Sequence, residues 1–310
     1  MGDIRAPDAE TARPAHPDSQ PPENEVTVLV TGFGPFLKQF PINPSHEIAK
    51  ALPASLTLTT KTPSPSPSSP PKTTTTRITL TTPSAPLAVA YHPTHAAVPK
   101  LLSSARPDLV LHIGLAAGRA FFAIEKSSAK HGYDRNADVD GRRWTARESD
   151  HAWRGAPEHL ETGLLFEGVW ARWRDACEGL EGVVGPGASA RDVRRGRGVG
   201  TGGEGMEGVP SAAGGGGGVV KGQDVVEVRP SDDVGSYLCG FIYYNSLAWF
   251  WEREREKEEE GGVERPVLFL HVPACPEGRD VERGTEITVE LIKAMVATWL
   301  AQKEKAEAAR

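Results

Sequence analysis

Cysteine is scarce in this chain, three in 310 residues, at positions 177, 239 and 275. An odd number at wide spacing gives no disulfide framework and suits a reducing compartment. No C-x-x-C pair occurs, and that leaves a closed structural zinc site without support. Long apolar runs are missing too. No window approaches the roughly 20 apolar residues that a membrane helix needs, and the first residues lack the basic-then-apolar pattern of a secretory signal. Positive charge is in deficit, with a formal net charge of −6, which argues against a general nucleic-acid binder. A local basic cluster, Arg191 to Arg197, lies in a Gly-rich stretch; it reads as a solvated segment, with a docking or localisation patch as the alternative. The expectation is a soluble cytoplasmic protein without a membrane or nucleic-acid partner.

With 38% hydrophobic and 25% charged residues, the chain can bury a full core. Three segments lack core material: the Pro- and acid-rich residues 1–24, the Pro/Ser/Thr run 61–76, and the Gly-dominated 183–222. The first and third are expected to be disordered, and the second to be a loop widening a turn between two strands. What is left is one domain over 25–304, with 61–76 and 183–222 as insertions and 305–310 as a helix end or tail.

Four apolar runs have the length and β-branching of strands covered on both faces: Val26 to Val30, Leu109 to Ile113, Val225 to Val228, and Val267 to His271. Helical patterns lie between them. Ser45 is placed to cap a helix through Leu52, and Thr94 to Ser104 forms another. A third, opened by Cys239, continues through Trp249 and Trp251 into Glu252 to Glu260. Thr285 is placed to cap the last, with Ile287, Leu291, Met295 and Trp299 on one stripe. Alternating strands and helices predict a layered α/β fold. In such sheets chemistry gathers at the carboxyl ends of the strands.

Cys239 sits in the first turn of its helix, where free N–H groups and the helix dipole favour a thiolate. A buried small hydrophobe is the alternative. His271 ends an apolar strand on the expected edge, so it can take the thiol proton and return it to a departing amine; a core histidine would look the same. Glu125 falls in the apolar run Ala120 to Lys126, where a carboxylate is costly unless paired. It either orients the imidazole or faces water from an edge strand. Phe33 and Phe36, on the loop Thr31-Gly32-Phe33-Gly34-Pro35-Phe36, suit a small flat apolar group; core packing is the alternative. That loop lacks the spacing of a phosphate-binding turn. A zinc site from Cys239, His271 and Cys275 has no second close ligand pair behind it.

Together these blocks resemble the type I pyroglutamyl peptidases, or pyrrolidone-carboxylate peptidases. The matching blocks are Val28 to Phe36 with Asn43-Pro44-Ser45, His112-Ile113-Gly114-Leu115 leading to Ile124-Glu125-Lys126, and Gly132-Tyr133. Ser236-Tyr237-Leu238-Cys239 with Tyr243 to Leu247, and Leu270-His271-Val272-Pro273, complete the set. The resemblance implies a cysteine peptidase of α/β/α sandwich fold, a three-layer single domain around a mostly parallel or mixed sheet. It implies Cys239 as nucleophile, His271 as base and acid, and Glu125 as orienting carboxylate, with no metal or cofactor. Phe33, Phe36, Asn43 and Arg135 are the implied substrate-binding residues, and small peptides with N-terminal pyroglutamate the partners. Two departures stand out. Leu37-Lys38-Gln39-Phe40 follows Phe36 where many members continue with Gly, and Arg135 matches a position that animal-like members need not keep. A non-catalytic binder and a thiol hydrolase for another small lactam or acyl group are the alternatives. The resemblance leaves monomer or homo-oligomer open.

Overall fold

Strand β10 (Val267–Val272) is buried at every position, and its side chains divide by parity. Val267 and Phe269 enter one hydrophobic cluster; Leu268, Leu270 and Val272 enter another. Two cores separated by one sheet make three layers, as a strand that is apolar on both faces requires. The computed structural model describes residues 24–37, 41–62, 71–180, 183–184, 226–256, 264–274 and 278–309. Residues 1–23 of the expected N-terminal tail, most of the Gly-rich insertion with its Arg191 to Arg197 cluster, Lys38 to Phe40, Lys257 to Glu260 and Cys275 lie outside those residues; Asn24 opens β1.

Along the chain come β1 (Asn24–Thr31), α1 (Pro44–Ala51), β2 (Ser55–Thr62), β3 (Lys72–Thr81), α2 (Tyr91–Ala105), β4 (Leu109–Leu115), β5 (Phe121–Glu125) and β6 (Ser127–Ala129). They are followed by α3 (Ala146–Ala152), β7 (His159–Glu161), α4 (Phe166–Cys177), β8 (Val183–Val184), β9 (Val226–Ser231), α5 (Leu238–Glu256), then β10 and α6 (Gly278–Ala308). The main sheet has the order β2-β3-β1-β4-β10-β5-β9-β8, and β6 pairs β7 in a separate ribbon. Strands β3, β1, β4 and β10 run parallel. Strands β2 and β5 run against them, and β9 and β8 follow β5. The sheet is therefore mixed. Helices α1, α4 and α6 cover the face that holds Leu268 and Leu270, while α2 and α5 cover the face that holds Phe269. Each large apolar side chain buried in this way contributes roughly 1.5–3 kcal/mol. Among the described residues no helix is long and apolar enough to cross a membrane.

Several boundaries depart from the sequence expectations. Asn43, not Ser45, caps α1: its side chain accepts from the Ser45 N–H, and Pro44 takes the first helical position. Thr285 lies inside α6, its hydroxyl donating to the Val281 carbonyl, so the helix begins at Gly278 instead. Of the segment 61–76, expected as a loop, residues 61–62 belong to β2 and 72–76 to β3, and 63–70 lie outside the described residues. Thr62 pairs with Lys72, and the threonine run continues β3 alongside both β2 and β1. Thr76 is fully buried there, which brings part of a segment read as coreless into the core. Strand β9 was expected to share its exit edge with β1, β4 and β10; it runs the opposite way.

Candidate active site

Val267, Phe269 and His271 alternate onto the α5 side of the sheet, and Phe121, Ala123 and Glu125 do so on the neighbouring β5. In the antiparallel register Phe269 faces Glu125 and His271 faces Ala123. Glu125 and His271 are thus diagonal neighbours on one face, within reach of each other's side chains. Glu125 Oε1 lies 2.7 Å from His271 Nδ1. Glu125 is completely buried and His271 nearly so.

Helix α5 brings the thiol to the same face. Cys239 is its second residue, and Tyr243, one turn on, donates its hydroxyl to the Glu125 carbonyl at 3.0 Å. The lead-in turns sharply at Gly235, with φ of +79°, and the Gly235 carbonyl packs so tightly on Gly240 that no side chain fits there. On β4 the residue beneath the thiol is also glycine. A Cβ on Gly114 would stand 2.9 Å from Cys239 Sγ and 2.6 Å from Phe269 Cζ. Gly114 pairs with His271 in the parallel β4–β10 register. The thiol on α5 therefore stands over the β4 residue that pairs with His271, and adjacent strands lie about 4.8 Å apart.

Burial pushes the Cys239 thiol up to about 12, the Glu125 carboxylate adds to this, and Arg119 opposes it. The helix terminus does not overcome desolvation, contrary to the expectation of an easily ionised thiol. Burial also holds His271 below its ordinary value, against the hydrogen bond and charge of Glu125. Glu125 is pushed up by burial, yet its hydrogen bond to His271 and the imidazole charge, with Ser231 and Arg119, hold it below the usual carboxylate range. An ionised Glu125 can only accept, so Nδ1 of His271 carries the proton and Nε2 is left as a base. Both shifts favour the neutral thiol and the neutral imidazole. The buried Cys177 sits in the other core, its thiol also pushed up to about 12 by burial.

Phe33 is buried in the α5-side core, and its N–H donates to the Ser45 hydroxyl. Phe36 is half-buried, with its ring centroid 6.2 Å from that of Tyr237, two residues before Cys239. Of the two rings, Phe36 is the one that is partly exposed. Asn43 is buried and commits its side chain within the protein: Nδ2 donates to the Gly34 carbonyl at 2.9 Å, and Oδ1 accepts from Ser45. These bonds shape the Phe33–Phe36 loop. Arg135 is exposed, and its backbone carbonyl accepts from Arg143; the structure does not bring its side chain to Glu125 or His271. Among the described residues no cluster of three or more His, Cys, Asp or Glu could hold a metal.

The sequence reading missed Arg119. Its Nη1 donates to Glu125 Oε1 at 2.6 Å and its Nη2 to the Asp233 carbonyl at 2.8 Å. An arginine on the turn into an apolar strand that ends in a carboxylate was the available signal.

No protein-family model matches the chain, and no curated protein does. Solved structures do. A mutant pyrrolidone carboxyl peptidase from Pyrococcus furiosus aligns at 20% identity over 89% of this chain and 99% of its own, with a TM-score of 0.51. A structure from the set covering that enzyme and its Cys-free mutant gives the same identity, coverage and TM-score. A further mutant of the P. furiosus protein aligns at 19% identity over 89% of this chain and 98% of its own, also with a TM-score of 0.51. The three-layer α/β architecture of this chain is the pyrrolidone carboxyl peptidase fold.

Proposed function

We propose that the protein is a cysteine exopeptidase that removes an N-terminal pyroglutamyl residue from small peptides. The observation carrying this reading is the buried Glu125–His271 hydrogen bond on the sheet face over which Cys239 Sγ stands. The likeness to the P. furiosus peptidase supports the choice of acyl group. In this mechanism Sγ attacks the pyroglutamyl carbonyl as His271 Nε2 takes its proton. Glu125 stabilises the imidazolium, and first-turn N–H groups of α5 face the oxyanion. The tetrahedral intermediate collapses as the imidazolium protonates the departing amine. Water, deprotonated by His271, then hydrolyses the thioester and releases pyroglutamate, restoring the thiol.

Phe36 and Tyr237 provide apolar walls for the uncharged lactam. A free α-ammonium would lose its hydration there without a carboxylate partner, and that disfavours open-chain N-termini. We assign the catalytic unit to residues 25–304, acting in a reducing compartment such as the cytoplasm, where the thiol stays unoxidised.

Release of a fluorophore from a pyroglutamyl amide under reducing conditions tests the proposal, beside a prolyl amide and the Cys239→Ala variant. Cleavage confined to the pyroglutamyl amide and to the unaltered chain is the expected result. Turnover by clean Cys239→Ala protein would sink the mechanism; turnover of the prolyl amide alone would sink the substrate assignment.

A further inference from the structure

Arg119 touches three pieces of the candidate site. Its Nη1 meets the carboxylate at the end of β5, and its Nη2 holds the Asp233 carbonyl in the loop that leads from β9 to Cys239. Nη1 also lies 3.4 Å from His271 Nδ1. That last pair is not a hydrogen bond, since both nitrogens are donors aimed at the one oxygen, Glu125 Oε1. Guanidinium and imidazole thus share an acceptor, and each limits what the other draws from it. The second carboxylate oxygen, Oε2, is buried without a hydrogen-bond partner among the described residues.

We propose that Arg119 is a positioning residue that ties the acid strand to the nucleophile's lead-in and, by competing for Glu125 Oε1, sets the pH above which the Cys239–His271 pair becomes reactive. The inference rests on the thiol mechanism but not on the identity of the acyl group. The charged groups that act on His271 are Glu125 from β5, Arg119 from the β4–β5 turn and Asp233 from the β9–α5 loop; on α5, Cys239 stands over Gly114, the β4 partner of His271, and Tyr243 donates to the Glu125 carbonyl. Arg119 lowers both Cys239 and His271 and helps to lower Glu125. Its loss therefore moves all three in one direction. The thiol ionises, and the base becomes free, only at higher pH.

The side chain is 23% exposed, open enough for a small cation to replace it. The test is the rate at which iodoacetamide alkylates Cys239 as a function of pH, read by mass spectrometry on the full chain. No peptide substrate enters, so failure of the pyroglutamyl assignment would leave the outcome interpretable. Arg119→Gln is expected to raise the midpoint of the profile by about one pH unit, slowing alkylation about tenfold on the acid side. Added guanidinium ion is expected to move the midpoint back. A variant with reduced rates but the original midpoint shows a role in folding alone and overturns the proposal. Should Arg119→Gln fail to fold, Arg119→Lys replaces it. The ammonium keeps the charge but cannot hold Glu125 and the Asp233 carbonyl together, so the midpoint still rises; an unchanged midpoint overturns the proposal.

Discussion

Adding one methyl group at Gly114 tests the geometry of the candidate site more directly than removing any of its polar groups. In Gly114→Ala the new Cβ would stand 2.6 Å from Phe269 Cζ and 2.9 Å from Cys239 Sγ. Comfortable separations are about 3.5 to 4 Å, so one neighbour retreats by roughly 0.5 to 1 Å. Phe269 is completely buried, its ring 4.8 Å from that of His271 and 5.9 Å from that of Tyr243 between centroids. Cys239, less buried as a residue than Phe269, is the easier to displace. Misplacing a reacting atom by about 1 Å costs about 100-fold in rate, whereas overpacking costs about 1 to 3 kcal/mol in stability. The control is Gly118→Ala on the same strand's exit turn, where nothing lies within 4 Å of the new atom. Kinetics on a pyroglutamyl amide and thermal melts of both variants decide the matter. A folded Gly114→Ala protein with the activity of Gly118→Ala would refute the placement of Sγ over β4.

Two further outcomes are expected. Phe36→Ala should raise KM with little change in kcat and in melting temperature, because its half-buried ring supplies a wall and no reacting group; a kcat loss with KM unchanged would show that the ring is no binding wall. His112 is buried between the Thr31 and Ser246 hydroxyls, and burial pushes it down to about 3. The unfolded chain takes up this proton near pH 6.5 and the folded one does not. Its stabilising contribution is therefore complete above pH 6.5 and falls by about 1.4 kcal/mol per pH unit below it. Melting temperatures of the unaltered chain should decline from pH 6.5 towards pH 4, and His112→Gln should flatten that decline; equal slopes for the two would remove His112 from the account.

Legibility in the sequence followed the range of the interactions. Strands β1, β4 and β10 announce themselves because burial on both faces demands unbroken apolar runs, and Glu125 stands out because a carboxylate in such a run needs a partner. Strand direction leaves no such trace. Periodicity is the same read either way, so the reversal of β5 and β9 was hidden. Arg119 looks like any turn arginine, since one of its partners is 114 positions away in the chain. The threonine run read as low complexity because no local signal says that β1 and β2 flank it; once they do, β-branched side chains suit a strand. Pro44 did carry a signal that went unused. Proline favours the first helical position, and that puts the cap at Asn43 and frees the Ser45 hydroxyl to hold Phe33.

The diagonal meeting of Glu125 and His271 across β5 and β10 also acts on how the sheet assembles. If β5 slid by a single residue against its neighbour, every side chain on it would change faces. The carboxylate would then point among the aliphatic residues beneath α1, α4 and α6, with no cation or donor to meet it, at a cost of several kcal/mol. Mispairing thus carries its own penalty, imposed by the same group that would orient the base in the correct arrangement. The acid is therefore a proofreader of strand alignment.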